Sequence, residues 1–177
     1  MKKAALAFIA VLTVCFAIVA AQEHAPSVIT STPQWEKVKS LVGEWEGYAL
    51  DNGKKMTTRI SVRMTGDGSA VMHWMDPGGP YEMITMFHMD KSELIATHYC
   101  AAHNQPRLRA VSPGTANEVA FDFKDGTNIR PGDSYMRQLV IDFIDADHHD
   151  ETWGSDSKGK IETAKFYLTR VKKPAKG

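Results

Sequence analysis

Residues 81–111 read YEMITMFHMDKSELIATHYCAAHNQPRLRAV, and the alternation within them decides the fold. One set of alternate positions holds Tyr81, Met83, Thr85, Phe87 and Met89, then Leu94, Ala96, His98 and Cys100, then Leu108 and Ala110. The other holds Glu82, Ile84, Met86 and His88, then Glu93, Ile95, Thr97 and Tyr99, then Arg107 and Arg109. A repeat of two is the repeat of a β-strand, whose side chains alternate between two faces. Three strands follow, parted at Asp90-Lys91 and around His103, and the first, more apolar set is expected to face an interior. A two-residue turn at Asp90-Lys91 sets Met89 against Ser92 and His88 against Glu93. Extended along the strands, that register sets Glu82 against Tyr99 and Met83 against His98. A loop centred on His103 then pairs Tyr99 with Arg107 and His98 with Leu108, so Glu82, Tyr99 and Arg107 are expected in one row.

The same period runs outward in both directions, broken by turn residues every 8 to 12 positions. Asn52-Gly53, Gly66-Asp67-Gly68 and Asp76–Pro80 break it before residue 81; Ser112-Pro113-Gly114, 126–132, 145–147 and 155–159 break it afterwards. Ten strands are predicted, at about 44–50, 55–65, 69–75, 81–89, 92–101, 105–111, 117–124, 134–145, 147–154 and 160–170. Before them, Thr32-Pro33 reads as a helix cap followed by Pro in the first turn. Trp35, Val38, Leu41 and Val42 continue at helical spacing to Gly43, predicting a short helix over 33–42. Sequential hairpins without a long intervening helix make an all-β, up-and-down antiparallel sheet. Closing it into a barrel removes its exposed edges, with the helix at one end.

The first 21 residues differ in kind. Lys2 and Lys3 precede an uncharged apolar run from Ala4 to Ala20, and Val19-Ala20-Ala21 supplies small residues for cleavage: the anatomy of a secretory signal peptide. Cys15 follows Val14, whereas a lipoprotein signal wants a small residue there. Cleavage after Ala21 leaves 156 residues from Gln22, with 19 basic against 21 acidic side chains, a net charge of −2. The expected organisation is a signal peptide (1–21), a flexible leader (22–31), one barrel domain (32–171) and a short tail (172–177). The expected location is the periplasm or the exterior, with no stable membrane span after cleavage. So balanced a charge provides no field for nucleic acid. Cys100 is the only cysteine left, so no internal disulfide can form, and a lone thiol in an oxidising compartment is expected to be buried and inert.

No metalloprotease, nucleophile-elbow, phosphate-loop or C-x-x-C pattern occurs. Asp147-His148-His149-Asp150-Glu151 is the densest run of metal-ligating types. A strand would split it, with His148 and Asp150 on one face and His149 and Glu151 on the other, so a site would need ligands from another strand. A solvated hairpin is the simpler expectation, and neither metal nor cofactor is expected. Arg107 and Tyr99 suit a carboxylate or phosphate end of a ligand. Glu82, His98, Tyr99 and Arg107 are therefore the candidate ligand-binding residues. His98 or His88 beside Glu82 would supply acid–base chemistry if the protein were an enzyme, although no nucleophile accompanies them.

Gly43-Glu44-Trp45-Glu46-Gly47, just after the helix, resembles the G-x-W-x-G opening of lipocalin-like (calycin-type) barrels. The stretch from Glu82 to Asp90, with Leu94 and Thr97–Arg107, is similar to a pattern in uncharacterised secreted bacterial proteins of that kind. The resemblance spans about 34–170. It implies a closed barrel with an internal cavity, in which Trp45 packs at the closed end beneath Arg170, beside Gly43. Barrels of the kind it resembles include haem-binding nitrobindin-like proteins, whose iron-ligating histidine lies late in the chain. Here no histidine follows His149. The expected function is binding of a small, partly apolar molecule in a cavity lined by Met, Phe and Leu, with His98 or the Tyr99/Arg107 pair as its polar fixed points. A structural or partner-binding module with a filled barrel is the alternative.

Overall fold

Period-two patterning becomes ten antiparallel strands in a computed structural model that describes residues 31–111 and 117–172. The expected signal peptide, nearly all of the expected leader, Ser112-Pro113-Gly114 and all of the tail but Lys172 lie outside the described residues. Helix α1 (Pro33–Ser40) is followed by β1 (Gly43–Asp51), β2 (Lys54–Thr65), β3 (Ala70–Met75), β4 (Met83–Asp90) and β5 (Glu93–Tyr99). After them come β6 (Gln105–Val111), β7 (Glu118–Thr127), β8 (Tyr135–Phe143), β9 (His148–Ser157) and β10 (Lys160–Arg170). Each strand pairs with its neighbours in sequence, and β10 returns to β1, so the barrel is closed and no edge is left unpaired. Within the described residues, no helix is long and apolar enough to cross a membrane.

Helix α1 starts as its residues require. The Thr32 hydroxyl accepts from the Trp35 backbone N–H at 3.2 Å, and Pro33 occupies the first turn, where its missing N–H costs nothing. The helix ends at Ser40, two residues earlier than predicted, with Leu41 as its C-cap. Trp35, Val38 and Leu41 are buried against the barrel end from which β1 starts.

The G-x-W-x-G opening has a steric explanation there. Arg170, on the last strand, donates to the Ser40, Val42 and Ala146 carbonyl oxygens at 2.9, 2.8 and 2.9 Å, and its guanidinium lies 4.1 Å over the Trp45 ring. The bonds to Ser40 and Val42 satisfy carbonyls at the helix C-terminal end and just beyond it with a cation, which the helix dipole favours. A Cβ on Gly43 (φ +149°) would meet Arg170 Nη1 at 2.5 Å, and one on Gly47 would lie 1.9 Å from the Tyr167 carbonyl oxygen. The two glycines make room for the staple and for the strand that closes the barrel.

The inward face of β4, β5 and β6 is the one predicted: Phe87, Ala96 and Leu108 are fully buried, and Thr85 and His98 lie among them. The registers differ. Met89 pairs with Leu94 and Thr85 with His98, because the turn falls on Lys91-Ser92, with Lys91 at φ +58°. That turn takes Ser92 off the apolar face and gives Met89 a leucine as partner instead. Likewise Thr97, not Tyr99, pairs with Arg107. The loop closes earlier, with Cys100 N–H donating to the Asn104 oxygen at 3.1 Å and His103 at φ +61°. Both shifts are by two residues. The faces survive, and the row Glu82–Tyr99–Arg107 does not form.

Candidate functional site

Inward-pointing polar residues on β3, β4, β5 and β9 meet inside the lumen. His73, Thr85, His98, His149 and Glu151 are each at most 1% exposed. Glu151 lies at the centre, and β2, β1 and β10 separate its strand from that of His73 around the wall. An ionised carboxylate only accepts hydrogen bonds. His73 Nε2 and His149 Nε2 therefore donate to Glu151 Oε1 at 3.0 and 3.1 Å, and Trp153 Nε1 donates to Oε2 at 2.8 Å. His149 packs edge-on against Trp45, with ring centroids 4.2 Å apart, joining the network to the Trp45–Arg170 staple. Burial opposes ionisation of Glu151. Attraction to His73, with the hydrogen bonds from His149 and His73, outweighs it and holds the carboxyl well below the usual carboxylate range.

His98 lies beside this cluster, its Nδ1 2.8 Å from Thr85 Oγ1 and its ring 5.2 Å from that of Trp153. Burial, and secondarily His73, pushes its pKa down to about 4 from 6.5. Below pH 6.5 the unfolded chain protonates this imidazole and the folded chain does not, so stability falls from pH 6.5 to about 4. The expected loss is on the order of 3 kcal/mol by the acid end of that window. Urea midpoints at pH 7, 5.5 and 4.5 should fall more steeply for the wild type than for His98→Gln. Parallel slopes would remove His98 as the cause. Glu151 adds no slope above the normal carboxylate range, because it is ionised in both states there.

The run at 147–151 divides as its period requires, and the inner half corrects the expectation of a solvated hairpin. His148 is exposed beside Asp145 and Asp150 pairs with Lys165, but His149 and Glu151 are core residues. Among the described residues, no three His, Cys, Asp or Glu side chains converge to hold a metal ion. Haem does not fit the residues present either: β10 has no histidine, and Phe87, Phe121 and Trp153 fill the lumen beside the three imidazoles.

A cavity of about 180 Å³ opens at the opposite end from α1. Ala49, Met56, Thr58, Met75, Met83, Ala164 and Phe166 line it from the strand ends, with Asp51, Thr57, Asp76 and Tyr81 around the rim. Beneath its floor, one inward position deeper, lie His73 below Met75 and Thr85 below Met83.

The sequence-predicted candidates divide among three places. His98 is inside. Tyr99 and Arg107 are on the outer face, where they border a shallow open groove with His88, and Arg107 is ion-paired with Asp125. Glu82 precedes β4, and its carboxylate accepts from Trp74 Nε1 at 2.7 Å and from the Gly78 N–H at 3.2 Å, holding that loop. Thus His98, His88 and Glu82 are not assembled into an acid–base group. Trp45, Arg170 and Gly43 do come together. Cys100 is half-buried, less enclosed than expected, and its sulfur accepts from the Ala102 N–H at 3.4 Å. Asn104 is 2% exposed and donates to the Ser134 oxygen at 2.9 Å, so it ties two loops together. His73 was not singled out from sequence, and Glu151 only as one member of the 147–151 run, although each stands at an inward position between buried neighbours.

No family model matches the chain, and no curated protein matches it. Among the solved structures that share its fold are the following two. One is a protein of unknown function from the DUF3598 family of Nostoc punctiforme, with 12% identity and a TM-score of 0.52 over 76% of this chain and 49% of that one. The other is Rv2717c from M. tuberculosis, with 13% identity and a TM-score of 0.53 over 80% of this chain and 99% of that one. This chain therefore spans about half the length of the first and nearly all of the second. At such identities the likeness establishes a shared barrel architecture.

Proposed function

We propose that the chain is an exported, lipocalin-like barrel that binds a small, partly apolar molecule at its open end. The observation that carries this reading is the mouth cavity with its walls of Met56, Met75, Met83 and Phe166. Its volume of about 180 Å³ is below the ~300–1,000 Å³ of drug-sized sites, and near that of a cavity of ~150 Å³ that admits benzene. A ligand of about one aromatic ring fits. Methionine suits such a ring, because its flexible thioether adapts to shape and its sulfur attracts an aromatic edge. Export rests on the basic start and apolar run of Lys2–Ala21. The polar fixed points pass from Tyr99 and Arg107, which face away from the lumen, to the rim of the mouth.

Titration of methyl-labelled methionines with toluene tests the site. Saturable shifts are expected at Met56, Met75 and Met83 and not at Met64, with an affinity of about 0.1–1 mM, or about 4–6 kcal/mol. Ala164→Phe, which fills the mouth, should abolish them. Shifts absent from the wild type, or unchanged in that variant, would sink the assignment.

A second reading has its own observation. Phe87, Phe121, Leu139, Ile141 and Trp153 fill the central lumen. A barrel filled this way serves as a rigid structural or partner-binding module, and failure of the titration would favour that role.

A further inference from the structure

We propose that the mouth takes a small amine, with an apolar body of about one ring and a protonated nitrogen held at the rim by Asp51 and Asp76. This rests on the mouth being the binding site and adds the chemical class of its ligand. Of the side chains lining the cavity, these two carboxylates are the charged ones; no Lys, Arg or His lines it. Among the described residues, neither is in an ion pair. Asp51 continues the inward row Trp45, Gly47 and Ala49 to the end of β1 and is paired in register with Ala164, so its position is on the lumenal side of the rim.

Asp76 is held in place. Its backbone N–H donates to the Arg59 oxygen at 2.8 Å, its Oδ2 accepts from the Tyr81 N–H at 3.1 Å, and its carboxylate lies against Gly79 at the rim. Two carboxylates beside low-dielectric apolar walls attract a cation and repel an anion, and the walls strengthen both effects over those in open water. Tyr81, 59% exposed at the rim, offers a π face to an ammonium, while Met56, Met75, Met83 and Phe166 receive the ring.

Benzylamine, ethylbenzene and phenylacetate share a ring and differ in charge at neutral pH. Titrated into the folded chain with the methionine methyl groups as the readout, benzylamine should bind about tenfold tighter than ethylbenzene, and phenylacetate weakest. In the double variant Asp51→Asn, Asp76→Asn, which keeps an acceptor for the Tyr81 N–H, the amine should lose that advantage and ethylbenzene should bind as before. The methionine spectrum without ligand reports whether the variant is folded, and the single variants replace it if not. Equal binding of benzylamine and ethylbenzene by the wild type overturns the amine class and leaves the cavity standing. An amine preference that survives in the Asn variants overturns the role of these carboxylates. Binding by none of the three overturns the mouth site and this inference with it.

Discussion

Glu151→Ala is expected to lower stability by about 3–5 kcal/mol, the usual cost of removing one partner from a buried, hydrogen-bonded charge cluster. Three donors lose their acceptor together: His73 Nε2, His149 Nε2 and Trp153 Nε1. Each is buried, so its N–H is left without its partner inside the lumen. Glu151→Gln should cost less, because one carbonyl oxygen can still serve the two imidazoles while the amide nitrogen confronts the Trp153 N–H. Urea unfolding at pH 7 would show the order wild type, Gln, Ala in midpoint, with a common slope. A loss under 1 kcal/mol for the alanine variant would mean that the carboxylate is not the hub of the lumen. The folded-state pKa of Glu151 is lowered, so its share of stability is fully present above the usual carboxylate range. It is lost as the pH falls through that range and below it, starting about where the window governed by His98 ends.

Trp45→Ala is expected to cost a similar amount, about 3–5 kcal/mol, through loss of a large buried ring. The ring is 2% exposed and stands between the Arg170 guanidinium and the His149 edge, while its Nε1 donates to the Leu41 oxygen at 2.7 Å. It thereby joins the helix, the last strand and the lumenal network. Amide hydrogen exchange should therefore speed up across α1 before it does in the strands far from that end. Arg170→Ala should share much of the effect, since both changes break the same contact, and the double variant should fall short of the sum of the two. Additive losses, or exchange that rises evenly over the whole barrel, would refute this account of the staple.

The candidate site was less legible in the sequence than the fold, for a reason visible at particular residues. Pairing Met89 with Ser92 or with Leu94 leaves Met89 on the same face, because an even shift preserves the alternation. The inward set of β4 to β6 was thus readable while its partners were not. A row that depends on partners, such as Glu82–Tyr99–Arg107, was lost by two such shifts. His73 between Val71 and Met75, and Glu151 between His149 and Trp153, carried a usable signal: a polar residue at an inward position of a strand. That signal marks each as buried without saying which residue satisfies it.

Local patterning by itself determined the ten strands, the faces of the central three and the capped helix, since each depends on neighbours a few residues away or on a two-residue period. Closure decided the rest. His73 and Glu151 are 78 positions apart and on strands that do not touch along the wall, so only a closed barrel brings them to 3.0 Å. The mouth is likewise assembled from the ends of β1, β2, β3 and β10 with Met83 at the start of β4, and no stretch of sequence contains its shape. Contacts across a lumen are set by barrel diameter and strand tilt, which belong to the whole sheet and leave no period in the chain.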